Sequence, residues 1–113
     1  MIRLPQIDSL QRSQDRLNLQ FVVAPTLEYF NGHFPECALL PGVVQIGWAI
    51  EIARAQFPIT GRFHALAAVK FTRVIQPGAD VALALGCNAD RSELSFEYRS
   101  GGAVCSSGRV LFH

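Results

Sequence analysis

The sequence predicts an α+β fold in a single domain spanning residues 1–113, with a mainly antiparallel five-stranded sheet around one central helix. Three observations predict it. Residues 42–57 are the one long apolar stretch with helical character, opened by Pro41-Gly42 and closed before Pro58. The flanking segments alternate apolar and polar residues with the period of two that marks a half-buried strand. Turn signals divide the second half of the chain at gaps short enough for antiparallel hairpins.

The elements follow in order. Residues 1–14 are mixed, and Ile7 and Leu10 suit a short helical turn. From Asp15 the pattern alternates: Leu17, Leu19, Phe21 and Val23 fall on one face, and Pro25 ends this first strand. Residues 26–40 are irregular, with an Asn31-Gly32 turn and a loop bracketed by Pro35 and Pro41. The helix follows. Val43, Val44, Ile46, Trp48, Ala49, Ile50, Ile52, Ala53 and Ala55 spread apolar groups around most of its circumference. It is too short, and with Gln45, Glu51 and Arg54 too polar, to cross a membrane, so it is expected to be covered by protein on most sides. Four more strands are predicted at 63–73, 80–88, 93–99 and 104–112, separated by Gln76-Pro77-Gly78, 88–91 and Ser100-Gly101-Gly102. Within the second of these, Ala82, Ala84 and Gly86 are small enough to let the helix or a second subunit approach closely.

Composition narrows the function. Half of the 113 residues are hydrophobic and 17% are charged, which favours a packed core over disorder. The formal net charge of +1 and a single lysine, Lys70, argue against nucleic-acid binding driven by a basic field. Cys37, Cys87 and Cys105 are odd in number and lack CxxC spacing, so neither a disulfide framework nor a zinc site is expected. The N-terminus has no signal-like apolar core, and no apolar run approaches a membrane span; a soluble, cytoplasmic protein is expected.

Several residues are candidates for chemistry, each beside a plainer reading. His33, held between Gly32 and Pro35, is either a general base or a loop histidine bonded to backbone. Gly42 opens the helix, where unpaired amides and the positive dipole end can hold an oxyanion; equally, it is an ordinary loop-to-helix junction. Glu51 is the one carboxylate of the helix, either an i,i+3 partner of Arg54 or an acid. Cys37 is a conceivable nucleophile but more simply a small buried thiol. Trp48, Phe63 and Phe71 read as core residues.

Taken together, the stretch FNGHFPECALLPGVVQIGWA and the later KFTRVIQPGADVAL resemble the 3-hydroxyacyl-[acyl carrier protein] dehydratases of the FabZ/FabA type. The likeness runs from about Asp15 to the end and looks closest to the branch associated with aryl polyene pathways. It implies a hotdog fold, a homodimer and active sites in tunnels at the subunit interface, with the histidine from one subunit and the helix acid from the other. Carried onto this chain, it makes His33 the catalytic base and Gly42 the amide that contacts the thioester carbonyl. It also implies an acyl site formed by Phe34, Val43, Ile46, Gly47 and Trp48, with no cofactor and no metal. The expected partner is an acyl carrier protein bearing a phosphopantetheine-linked chain, docked by some of Arg62, Lys70, Arg73, Arg99 and Arg109.

One element departs from the family. Its helix acid stands fourteen positions after the histidine, and here that position is Gly47. Glu51 lies one turn later on the same helical face, where a carboxylate can reach back over the gap. The expected activity is dehydration of 3-hydroxyacyl thioesters to trans-2-enoyl thioesters in fatty acid or polyene-type lipid synthesis. The missing acid keeps two alternatives open, a hotdog thioesterase and a non-catalytic acyl-carrier-binding subunit.

Overall fold

The computed structural model describes residues 4–24, 39–88, 90 and 92–113. Its elements are β1 (Ser9–Arg12), β2 (Arg16–Val22), α1 (Gly42–Gln56), β3 (Phe63–Phe71), β4 (Asp80–Asn88), β5 (Glu93–Ser100) and β6 (Ala103–Phe112). The strands form one antiparallel sheet in the order β1-β2-β4-β5-β6-β3. The sheet therefore has six strands, not the five expected. The additional strand is β1, where a helical turn was read. Its four residues are all exposed, so no alternation marks them; they are held by pairing with β2, Ser9 opposite Gln20 through Arg12 opposite Leu17.

The sheet's core face is the alternation itself. Leu17, Leu85 and Phe96 form one cross-strand row, and Leu19, Leu83 and Tyr98 the next. All six are buried. The period of two then puts Ala82, Ala84 and Gly86 on the opposite face. They do not admit the helix, which packs on Val81, Leu83 and Leu85 instead; this corrects the expectation as far as the helix is concerned. Gly101 and Gly102 both have positive φ, as the two-residue turn joining β5 to β6 requires. In β3 the register slips between Ala67 and Lys70, with Ala68 at φ 53, a bulge on the sheet's terminal strand.

The helix starts and stops where Pro41 and Pro58 dictate, and the Phe57 N–H closes it on the Ala53 carbonyl at 2.8 Å. Val44, Gln45, Trp48, Ala49, Ile52 and Ala53 are buried. Trp48 meets Phe21 edge to face, with centroids 5.6 Å apart, at the centre of the core. The other side is less covered than the apolar composition suggests: Ile46 and Ile50 are half-buried, and Val43 is 74% exposed. A lone helix lying on one sheet is shielded from one side, so within this chain its second apolar face keeps contact with solvent.

Candidate active site at the start of the helix

Sequence reasoning placed one candidate at the junction of loop and helix, and the structure shows how that junction is built. Leu40 is buried, and its N–H donates to the Ile75 carbonyl at 2.7 Å. The Pro41 carbonyl accepts from the amides of Val44 and Gln45, each at 3.1 Å. Gly42 is the first residue of α1, so its N–H and that of Val43 have no acceptor within the helix. They lie at the positive end of its dipole.

Phe71 rests directly on Gly42. A Cβ built on the glycine would lie 2.7 Å from the ring's Cζ and 2.9 Å from Cε1, closer than carbon atoms approach. A side chain here would therefore push the ring aside. The ring and the helix start bound a cleft of about 360 Å³ whose lining includes Leu39, Leu40, Gln45, Arg73 and Val74. It is mainly apolar, with a cation at its rim. Phe71, expected in the core, is 50% exposed, as is Phe63; both belong to the sheet's terminal strand and have no neighbouring strand to cover them among the described residues. Alternation alone does not distinguish a strand inside a sheet from one at its end.

Below Gly42 lies a polar network that the sequence did not announce. Gln45 is 3% exposed. Its Nε2 donates to the Leu40 carbonyl at 3.0 Å, and its Oε1 accepts from the Ser106 hydroxyl at 2.7 Å. The Tyr98 hydroxyl donates to the Gln45 main-chain carbonyl at 2.5 Å. Burial pushes the Tyr98 phenol well above its ordinary pKa, so it stays a donor throughout the working pH range. Among the described residues, no buried side-chain polar atom lacks a partner.

The remaining candidates fall as follows. His33, Phe34 and Cys37 lie outside the described residues. Ile46 and Gly47 are half-buried on α1, and Val43 is exposed beside the cleft. Trp48 is fully buried and meets Phe21 edge to face, as the reading of it as a core residue expects. Glu51 is exposed, and its expected pairing with Arg54 is absent. Arg54 donates instead to the Gly61 carbonyl at 3.0 Å and lies over the Phe112 ring, 5.0 Å from its centroid. That leaves the Glu51 carboxylate without an ion-pair partner among the described residues.

Of the five basic residues considered for docking, Arg99 pairs with Glu97 at 2.6 Å and Arg109 with Glu93 at 3.1 Å. Arg62, Lys70 and Arg73 are exposed with no acidic partner among the described residues, and Arg73 lines the cleft. Cys87 and Cys105 are free thiols. Burial, with Asp15 nearby, pushes the Cys87 thiol up, away from the reactive thiolate. Among the described residues, no three His, Cys, Asp or Glu side chains gather to hold a metal, and no helix is long and apolar enough to cross a membrane.

Comparison with known proteins agrees with this geometry. A model of the ApeI-like family, described as ApeI dehydratase, matches residues 9–109. Among solved structures, the dehydratase heterocomplex ApeI:P from Xenorhabdus doucetiae is 30% identical. The alignment covers 95% of this chain and 96% of that one, with a TM-score of 0.88. An uncharacterized protein from Erwinia carotovora subsp. atroseptica is 29% identical, covering 96% and 92%, with a TM-score of 0.81. Thioesterase superfamily member 2 from Mus musculus shares the fold at 12% identity, covering 88% and 81%, with a TM-score of 0.70. No curated protein matches the chain. One helix on an antiparallel sheet, with a helix-start amide opening on an apolar cleft, is the hotdog architecture, and the chain belongs to the ApeI-like dehydratase family.

Proposed function

We propose that the chain dehydrates 3-hydroxyacyl thioesters, presented by an acyl carrier protein, to trans-2-enoyl thioesters in fatty acid or polyene-type lipid synthesis in the cytoplasm. The observation that carries this reading is the Gly42 amide, free of any acceptor in its own helix and facing an apolar cleft, in a chain of a dehydratase family. His33 takes the proton alpha to the thioester carbonyl. Negative charge moves to the carbonyl oxygen, where the Gly42 N–H holds it, a contribution of about 2.7–4 kcal/mol in comparable oxyanion sites. The enolate collapses, the bond from the beta carbon to the hydroxyl breaks, and a proton delivered to that oxygen releases water. Phe34, Val43, Ile46 and Gly47 flank the acyl chain, with Trp48 supporting them from the core. Arg73, at the rim of the cleft, faces the acidic carrier, with Lys70 and Arg62 as further exposed cations.

The acid is Glu51. Its carboxylate is exposed and unclaimed by Arg54, and it projects from the helical face that Gly47 leaves bare. It sits nine residues beyond Gly42, about 13 Å along the axis. One chain's Glu51 and Gly42 therefore do not meet at one substrate, and the acid serves the site of a second subunit. Glu51→Gln is expected to lower kcat by about 10²–10⁴-fold with KM little changed. An unchanged rate removes Glu51 from the mechanism. His33 then returns the proton that it took.

The deciding experiment offers the purified protein, alone and with its acyl carrier, a 3-hydroxyacyl thioester. Enoyl absorbance and free thiol are followed together. Enoyl product without thiol supports dehydration. Thiol release overturns it in favour of hydrolysis, and neither signal leaves a binding subunit. Light scattering on the same sample reports whether the chain is a homodimer.

A further inference from the structure

We propose that Gln45 is a positioning residue that aims the Gly42 amide at the substrate oxygen. This rests on the reading of Gly42 as the oxyanion donor. A glutamine in the first turn of a core helix is an expensive choice, because a buried amide is tolerated only with its hydrogen bonds made, while leucine would fill the space without that demand. Here the bonds are made, and they converge on one stretch of backbone. The side chain reaches back five residues to the Leu40 carbonyl. It is itself held by Ser106, and its main-chain carbonyl by Tyr98. Tyr98 and Ser106 stand opposite one another on β5 and β6, so both anchors come from a single cross-strand pair.

The effect on Gly42 follows from peptide geometry. A trans peptide is planar, with its C=O and N–H pointing in opposite directions. The Pro41 carbonyl points into the helix, towards the amides of Val44 and Gln45. The Gly42 N–H, in the same plane, therefore points out of the helix start. What remains to be fixed is the plane before it. Leu40 is held at its N–H by Ile75 and at its carbonyl by Gln45, and the proline ring restricts φ between them. Without Gln45 the Leu40–Pro41 plane loses its tether on the carbonyl side. The segment then rocks about Pro41, and an oxyanion donor displaced by a fraction of an ångström loses much of its effect.

The test uses two substitutions in the full-length protein. Gln45→Leu keeps the volume and removes the tether. It is expected to lower kcat about 10- to 100-fold while KM stays within about two-fold. Amide hydrogen exchange at Leu40 should speed up at least about ten-fold, with exchange in β4 and β5 unchanged. Gln45→Glu provides a signature that general destabilisation does not. Its protonated carboxyl can donate to the Leu40 carbonyl and accept from Ser106; its carboxylate cannot donate. The ratio of its turnover to that of the parent should approach one at low pH and fall as pH rises, beyond any decline of the parent itself. An unchanged kcat in Gln45→Leu, or a parent-like pH profile in Gln45→Glu, overturns the proposal. If Gln45→Leu does not fold, the Gln45→Glu profile decides alone. If the parent turns over no hydroxyacyl thioester, the dehydratase reading fails. The exchange rate at Leu40 still tests the tether, and unchanged protection there overturns it.

Discussion

Gly42→Ala is expected to lower kcat/KM by about 10²-fold, because the carbonyl is kept from an N–H that alanine still carries, with a change in stability below about 1 kcal/mol. The added methyl would lie 2.7 Å from Phe71 Cζ. Phe71 is half-exposed at the end of the sheet, so its ring can swing outward at little cost. The cost appears in the cleft, because the displaced ring and the new methyl occupy the space beside the amide where the thioester carbonyl must sit. A steady-state assay beside a thermal melt checks both halves. Phe71→Ala in the Gly42→Ala background should recover part of the rate, because the two residues are in contact and their effects are not additive. A Gly42→Ala protein with the parent rate would show that neither the methyl nor the displaced ring reaches the place of the thioester carbonyl.

Trp48→Ala should cost about 3–5 kcal/mol, the range for deleting a large aromatic side chain from a packed core. Trp48 has no exposed surface and meets Phe21 edge to face. For a chain of this length the loss is a large share of the whole folding free energy, about 5–15 kcal/mol. The melting temperature should fall by at least about 12 °C. Trp48→Phe, which keeps most of the volume and the contact with Phe21, should recover much of that. The opposite pattern, near-normal melting with a raised KM for long acyl chains, would return Trp48 to the acyl site.

Much of this architecture was legible from residue order because the same physics governs both. Leu17, Leu19 and Phe21 alternate in the sequence because one face of β2 is buried, and the limits of β4 and α1 follow from the polar ends and prolines that stop them. Legibility failed where stabilisation does not pass through side-chain burial. β1 is held by backbone pairing with both faces wet, so its residues carry no pattern. Phe63 and Phe71 are apolar in a strand yet exposed, because exposure depends on position within the sheet, which strand composition does not encode. At the site, Gly42 could be read from helix-start chemistry. The tether from Gln45 to Leu40 could not, because its other anchors, Tyr98 and Ser106, lie more than fifty residues away along the chain.

The two ends of the sheet are unlike. On one side β1 is four residues long, mostly polar and exposed throughout. On the other, β3 is nine residues long and shows Phe63, Leu66 and Phe71 to solvent. A short polar border strand discourages further strands from adding, whereas a long apolar border invites one. Growth of the sheet is thus possible in one direction only. When two such borders meet each other, both are used up and nothing remains to recruit a third chain. Such a meeting would turn an aggregation-prone strand into an association that terminates itself.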